Sequence, residues 1–449
     1  MRRAALFAFA AVAVGGGGSP VAGVLLVATG DVTATSAVVW LRTPAPGPVT
    51  VEVRHRGADV VARRAVDPGL ADDLTARVLV PDLRPATRYG FRVMHARATE
   101  DGEFVTAPVP DAAAPVSFLW SGDLGSALYC RRADSGFPIF APMARARADF
   151  FLFVGDTVYA DSRCRGEGVA PGGDFVATTV AGYRAKHRYN REDPGARAFF
   201  RTTSVYAIWD DHEVRNDFSG PTEPLMPLGR RAFLDYWPIA PDPGDPTRLY
   251  RKFRWGKLLD VFVLDTRQYR SPNTDLDGPR KTMLGAAQRR WLVDGLSGST
   301  AVWKVVVSSV PFSVPTVAPE KRDAWSSASF FGLPVENATG FATERDAILR
   351  TLRDRGVRNL VILAADVHHA ELIRHHPTPE FSFHEFIAGP LSATPGRTRP
   401  LDAALNPRSL FAHAGTHNFG HVVIEPAHLT VRIVDATGAT LFTHRVGPE

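Results

Sequence analysis

The chain has 449 residues, 45% of them hydrophobic and 22% charged, with a formal net charge of +5. That length supports two or three domains with a large core, and the composition excludes a disordered or fibrous protein. The sequence pI of about 9.3 suits an anionic substrate, but the arginines are spread out, with no Lys/Arg block interleaved with aromatics. Specific nucleic-acid binding is therefore not expected.

Met1-Arg2-Arg3 precedes the apolar run AALFAFAAVAV and then a series of small residues. A charged start and an apolar run too short to span a bilayer predict a signal peptide over residues 1–22. The arginine pair hints at the twin-arginine route. The expected destination is secreted, periplasmic or cell-surface; a retained N-terminal anchor is the alternative. No later segment is apolar enough to cross a membrane.

Residues 24–108 carry short alternating stretches such as TSAVVWLRT, VTVEVRH and TRYGFRVMHA between Gly/Pro turns. This predicts an all-β sandwich. Leu83 to Tyr89 resembles the L-x-P-x-T-x-Y signature of fibronectin type III domains, an Ig-like fold. DAAAP at 111–115 is a linker. From residue 116 to 449, apolar strands alternate with amphipathic helices, which predicts an α/β domain. Helices are expected over Ala286–Leu296, with Trp291, Leu292 and Leu296 on one face, and over Glu344–Arg355, stopped by Gly356. The Gly- and Arg-rich stretch from Asp161 to Phe200 is expected to line the site rather than the core. The C-terminal run HVVIEPAHLTVRIVDATG is expected to complete a second sheet.

The chemistry lies at strand ends. DFFLFVGD ends on Asp156, followed by Tyr159 and Asp161. VSFLWSGD ends on Asp123, VYAIWDDHE on Asp210 and Asp211, LDVFVLDTR on Asp265, and RNLVILAADVHH on Asp366, His368 and His369. An acid at the end of a short buried strand sits at the carboxyl edge of the sheet, where open α/β sheets place ligands. One such acid reads as a helix cap. Five in one domain point to a metal site. Asp123, Asp156, Asp211 and Asp366 offer hard oxygens, Tyr159 a phenol and His368 an imidazole. A carboxylate that bridges two cations allows a hydroxide between them to attack a phosphate ester. Cys130 and Cys164 each follow such a motif. A disulfide between the two loops is the simplest reading in an exported protein, and a ligand role for Cys130 is the other.

These blocks resemble the calcineurin-like metallophosphatases. GDLG at 122–125 and GDTVYAD at 155–161 match the first two blocks of purple acid phosphatases. The run WDDHEVRND at 209–217, LDTRQYR at 264–270, ADVHHAE at 365–371 and AGPLSA at 388–393 resemble the alkaline phosphatase D (PhoD-like) family. ATGDVTATSAVVW at 28–40 resembles the domain that precedes that family's catalytic domain. The resemblance implies a four-layer αββα sandwich and a hydrolase of phosphate esters that uses a metal-bound hydroxide. It implies that Asp123, Asp156, Tyr159 and His368 hold Fe³⁺, and that Asp156, Asp211 and Asp366, with Asn216 as a further candidate, hold Ca²⁺. Sites made only of oxygen favour Ca²⁺, Mg²⁺ or Mn²⁺ over Zn²⁺. His212 would orient the phosphate or protonate the leaving oxygen. Arg267 would clamp the phosphate, or pair with Asp265 instead. Asp161, Asp210, Glu213 and His369 are assigned supporting places. Asp123 stands where some members have Cys, which leaves no iron-thiolate. Ala365 replaces a Gly, and its methyl is expected to narrow the pocket floor. A phosphodiesterase or phospholipase-D-like esterase of the same fold, and a non-catalytic cell-surface binding protein, are the rival readings.

Overall fold

The computed structural model describes residues 23–55 and 59–449. The expected signal peptide lies outside them.

Two sheets face each other. The first has nine strands, in spatial order Thr440–Val446, His428–Asp435, Asn418–Glu425, Val116–Ser121, Phe150–Val154, Ser204–Ile208, Leu26–Gly30, Ala37–Arg42 and Thr75–Val80. The second has seven: Arg251–Trp255, Leu259–Val263, Trp303–Val307, Leu360–Ala364, Phe381–Ile387, Ala370–Thr378 and Pro407–His413. Val116–Ser121, Phe150–Val154 and Ser204–Ile208 run parallel, as do Leu259–Val263, Trp303–Val307, Leu360–Ala364 and Phe381–Ile387. All five residues of Phe150–Val154 are buried, because both faces of the strand are covered. Phe150 packs inward on Trp255 of the facing sheet at 4.7 Å between ring centroids. Phe151 and Phe153 point the other way, onto Phe199 and Trp237. Phe199 belongs to the helix Pro194–Thr202, and Trp237 follows the helix Met226–Tyr236. Gly285–Ser297 and Ala342–Asp354 cover the outer face of the second sheet, with Leu292, Leu296, Ile348 and Leu352 packed on Phe262 and Val306. The layers are thus helix, sheet, sheet, helix, in agreement with the expected α/β class.

Three expectations are corrected. The N-terminal β region is not set apart: Leu26–Gly30, Ala37–Arg42 and Thr75–Val80 continue the nine-stranded sheet, and Gly30 pairs with Val205 in parallel. A separate four-stranded sheet (Asp59–Val66, Val49–His55, Arg88–His95, Ala98–Val105) forms the other half of that sandwich. Its corner is set by Tyr89, whose hydroxyl accepts from the Arg84 amide at 2.8 Å. Second, only residues 161–179 of the Gly-rich stretch are a loop. Thr179 and Asp193 cap the helices Val180–Arg191 and Pro194–Thr202, whose Tyr183, Phe199 and Phe200 are buried. Third, the C-terminal strands complete the first sheet, through Asn418–Glu425 against Val116–Ser121.

Candidate metal centre

The strand-end acids meet at the carboxyl edges of both sheets. The chain leaves each strand by a sharp turn, with Asp123, Asp156, Asp366 and His368 at φ of 63°, 47°, 68° and 57°. Non-glycine residues rarely adopt the left-handed region, and here it turns successive carboxylates toward one cleft. Gly155 makes one turn possible: with φ 84°, it would bring a Cβ within 2.5 Å of the Asp210 Cβ. The AGPLSA block acts through its backbone. The Leu391 amide donates to the Gly122 carbonyl, and the amides of Ser392 and Ala393 donate to the Asp123 carbonyl.

Two ligand trios share Asp156. Asp123, Asp156 and His368 bring one ligand atom each within 4.8 Å of one another, and so do Asp156, Asp211 and His212. Tyr159 joins the first trio, with its hydroxyl donating to His368 Nε2 at 2.9 Å. Nδ1 of His368 donates to the Thr394 carbonyl at 2.6 Å, so Nε2 is the unprotonated nitrogen, whose lone pair accepts from Tyr159 and is the one a cation could take. Burial pushes the imidazole down to about 4, so it stays neutral and suited to a cation. In the second trio, His212 stands beside Asp156 and Asp211. Asp366 lines the same cleft without entering either trio.

Electrostatics mark the cluster as built for cations. Burial, then the surrounding acids, raises Asp123, Asp156 and Asp366 well above the usual carboxylate range. Burial and the charges of Asp156 and Asp123 raise the Tyr159 phenol. Both oxygens of Asp123, Oδ1 of Asp211 and Oδ2 of Asp366 are buried without a hydrogen-bond partner. Such oxygens are costly unless a cation takes them up. The donor set of carboxylates, one phenol and imidazole therefore fits a pair of metal ions.

Supporting residues fix these groups. Glu213 accepts from the amide and hydroxyl of Thr157 at 2.6 Å and from the Asp210 amide at 2.8 Å, tying the second and third motifs together. Thr157 is therefore a turn residue. Asp161 accepts from His212 Nδ1 at 2.7 Å and from the Asn216 amide at 2.8 Å. Burial alone lowers His212, but Asp211, Asp161 and Asp210 outweigh it and push the imidazole up to about 10. Asn216 lies exposed on the cleft wall. His369 is buried between the Val367 carbonyl and Glu371, away from the cleft.

Arg267 is placed differently from the expected phosphate clamp. It is fully buried, with Nε on Asp210 at 2.6 Å, Nη1 and Nη2 on Asp323 at 2.7 and 2.6 Å, and Nη1 on the Phe218 carbonyl. Four of its five N–H groups are taken, and with no exposed surface the side chain cannot reach a substrate. Asp265 is not its partner through the side chain; it accepts from Trp209 Nε1 and from the backbone amides of Arg267 and Gln268. So one of the five strand-end acids is a turn residue. The Ala365 methyl also departs from expectation: it packs against Gly122, where an added Cβ would lie 2.8 Å away, and does not line the cleft.

The cleft is about 320 Å³ and is lined by Asp156, Asp211, His212, Asp366 and His368 together with Asp217, Asp323 and Arg399. The last three escaped the sequence reading. Asp217 donates its amide to Asp211 at 2.6 Å, and it directly follows Asn216. Asp323 and Arg399 lie in loops that carry no strand-end pattern. A larger cavity of about 860 Å³, between residues 66–79 and 227–247, has none of the strand-end acids. The disulfide Cys130–Cys164 joins the loops after the first two motifs, so Cys130 has no free thiolate for a metal.

A two-sheet sandwich with carboxylates and imidazoles at the strand ends defines a metallophosphatase-type protein. A model of the PhoD-like phosphatase family matches residues 126–434, and the chain belongs to that family. It is 26% identical over 388 residues to alkaline phosphatase D of Bacillus subtilis (strain 168), covering 76% of this chain and 64% of that protein. The chain thus spans just under two thirds of that curated relative. Its fold is similar to the solved structure of PhoD, with a TM-score of 0.75 at 21% identity over 94% of this chain and 88% of the other. It is also similar to the purple acid phosphatase PPD1 from yellow lupin seeds, with a TM-score of 0.65 at 12% identity over 94% and 74%.

Proposed function

We propose that the protein is an exported, metal-dependent hydrolase of phosphate esters. The observation that carries this reading is the set of buried, unpartnered carboxylate oxygens on Asp211 and Asp366 at the cleft and on Asp123 in the adjoining trio. Asp123, Asp156, Tyr159 and His368 would hold Fe³⁺; Asp156, Asp211 and Asp366, with Asn216 beside them, would hold Ca²⁺. Bound cations would offset the phosphate charge and acidify a water held at the site. The cleft of about 320 Å³ accepts a phosphate and part of its alcohol.

The chain's own groups do the rest. Asp161 holds Nδ1 of His212, so Nε2 is the nitrogen left to deliver a proton to the leaving oxygen. Cations beside Asp211 would oppose part of the acids' upward push on this imidazole. Arg399, partly exposed in the cleft wall, takes the clamping role first expected of Arg267. Its Nη1 reaches the Pro315 carbonyl at 3.5 Å, which leaves its other N–H groups for phosphate oxygens.

The test is Asp156→Asn, which removes the charge common to both trios. Hydrolysis of a soluble phosphate ester should fall at least ~10³-fold while circular dichroism stays that of the parent. Elemental analysis should show both metals reduced. Full activity in the variant would overturn the reading. Iron near one equivalent with calcium would support the metal pair; two equivalents of manganese or zinc would replace it.

A further inference from the structure

Two groups of exposed apolar side chains are tied by hydrogen bonds to residues of the cleft wall. The first is a tight turn at residues 329–333, whose Phe330, Phe331 and Leu333 are 49%, 82% and 58% exposed. Phe331 is the most exposed large apolar side chain among the described residues. The turn is held firmly. The Ser329 amide donates to the Leu333 carbonyl at 2.7 Å, the Ser329 hydroxyl accepts from the amides of Phe331 and Leu333, and the Ala403 amide donates to the Gly332 carbonyl. Gly332 is required there, since at φ 75° its Cβ would meet the Leu401 carbonyl at 2.1 Å. One buried guanidinium links this turn to the cleft wall. Arg322 donates to the Ala328 carbonyl and to the carbonyls of the cleft residues Thr316 and Val317, and lies 4.7 Å from the Phe330 ring centroid.

In the second group, Leu128 and Tyr129 are 66% and 40% exposed. They too are tied to the wall. The Thr394 amide donates to Ser126 Oγ, and the Ser392 hydroxyl donates to the Tyr129 carbonyl at 2.7 Å; Thr394 lines the cleft. Lys321, Arg397 and Arg399 lie on the loops that carry or adjoin the first group and the cleft wall, which also hold the acids Glu320, Glu336, Asp217 and Asp323, on a chain of net charge +5.

We propose that this rim docks on an anionic lipid surface, so that the cleft opens toward the bilayer headgroups. Water-exposed aromatic and aliphatic side chains held on turns anchored to the cleft wall are explained neither by the core nor by the cleft chemistry. Its area is roughly 500 Å², well below the ~800 Å² per partner of a stable protein interface. It is enough for side chains that enter a headgroup layer with cations beside them. The proposal does not depend on the hydrolase reading, because lipid binding and ester hydrolysis are measured separately.

The experiment uses the full chain with vesicles of phosphatidylglycerol and phosphatidylcholine. Phe331→Ser with Leu333→Ser should lower co-sedimentation about tenfold, with hydrolysis of a soluble phosphate ester unchanged. Both native cysteines are in the disulfide, so Phe331→Cys can carry a single environment-sensitive fluorophore. Its emission should shift to the blue on adding these vesicles, and less with phosphatidylcholine alone or at high salt. Reading position 331 separates the rim from any lipid affinity of the N-terminal segment. No emission change, together with equal co-sedimentation of parent and variant, would overturn the proposal. So would a blue shift that appears without vesicles and grows with protein concentration, since the occupant would then be a second copy of the chain.

Discussion

Arg267 and Arg399 divide two tasks that one guanidinium was expected to perform. Arg267 sits among Asp210, Asp323 and Arg270 with no exposed surface, so its role is to hold the acids behind the cleft. Arg267→Met should cost about 3–5 kcal/mol in urea denaturation, because Asp210 would be left buried without a cation and Asp323 would keep only Arg270. Arg399→Ala should leave that denaturation curve in place and raise KM about tenfold, the loss of a charge-assisted contact to phosphate. An unchanged KM would place the clamp elsewhere. Which arginine faces the cleft was not legible in the sequence, since both lie in loops and only the tertiary fold decides which is covered. His187 provides a different test. It is buried with neither ring nitrogen partnered, and burial, then Arg191, pushes it down to about 3. An unfolded histidine takes up a proton near 6.5, so between about pH 6.5 and 3 the unfolded chain binds the extra proton. Stability therefore falls as pH falls through that window. His187→Phe, which keeps the ring stacked on Tyr236, should remove roughly 3–5 kcal/mol of that loss. Melting temperatures across the same window check this; an acid limb as steep as the parent's would assign the loss to other groups.

At the scale of elements, the strands and their terminal acids were the most legible part. A short apolar run bounded by Gly-Asp suits a central parallel strand covered on both faces, and its end then points to the ligand edge. That logic brings Asp156, Asp211 and Asp366 to the wall of one cleft and Asp123 to the trio beside it. It failed for Asp265, because a backbone turn also satisfies an acid at a strand end. It also missed the helices within residues 180–202, where the Arg- and Gly-rich composition masked the caps Thr179 and Asp193. The loop in front of those helices is held by Cys130–Cys164, at a sequence separation of 34. Replacing both cysteines by serine should lower stability by about 4 kcal/mol, the loop-closure value for a ring of that size. Calorimetry should show the parent falling toward the variant when a reductant is added. A parent indifferent to reductant and equal to the variant would mean that the bridge adds nothing to the native state.

For the whole molecule, the sequence suggested a sandwich followed by a separate catalytic domain, and the contacts argue for one folding unit. Gly30 pairs with Val205, so the first and second halves of the nine-stranded sheet share a ladder. A Cβ at Gly30 would lie 2.3 Å from the Val205 carbonyl, which shows how closely the two backbones approach. Side chains interlock around that seam. Trp40 Nε1 donates to the Asp235 carbonyl at 2.7 Å, the Tyr206 hydroxyl donates to the Val32 carbonyl at 2.6 Å, and Asp31 accepts from Arg251 Nε at 3.0 Å. The Arg191 guanidinium lies between Trp40 and the catalytic-side Phe200 and Trp237, 4.4 to 5.0 Å from each ring centroid. The apolar residues of both halves form one continuous core. None of this is visible in the alternating pattern of residues 24–108, because a strand reads the same whether its neighbour comes from its own domain or the next. Scanning calorimetry of the full chain should therefore give a single cooperative transition, with calorimetric and van't Hoff enthalpies equal. Residues 109–449 expressed alone should be aggregation-prone, since the edge of Ser204–Ile208 and the apolar face around Trp237 would lie open. Two separate transitions, or a soluble and active 109–449 fragment, would show that the seam is an ordinary domain contact and that the two halves fold independently.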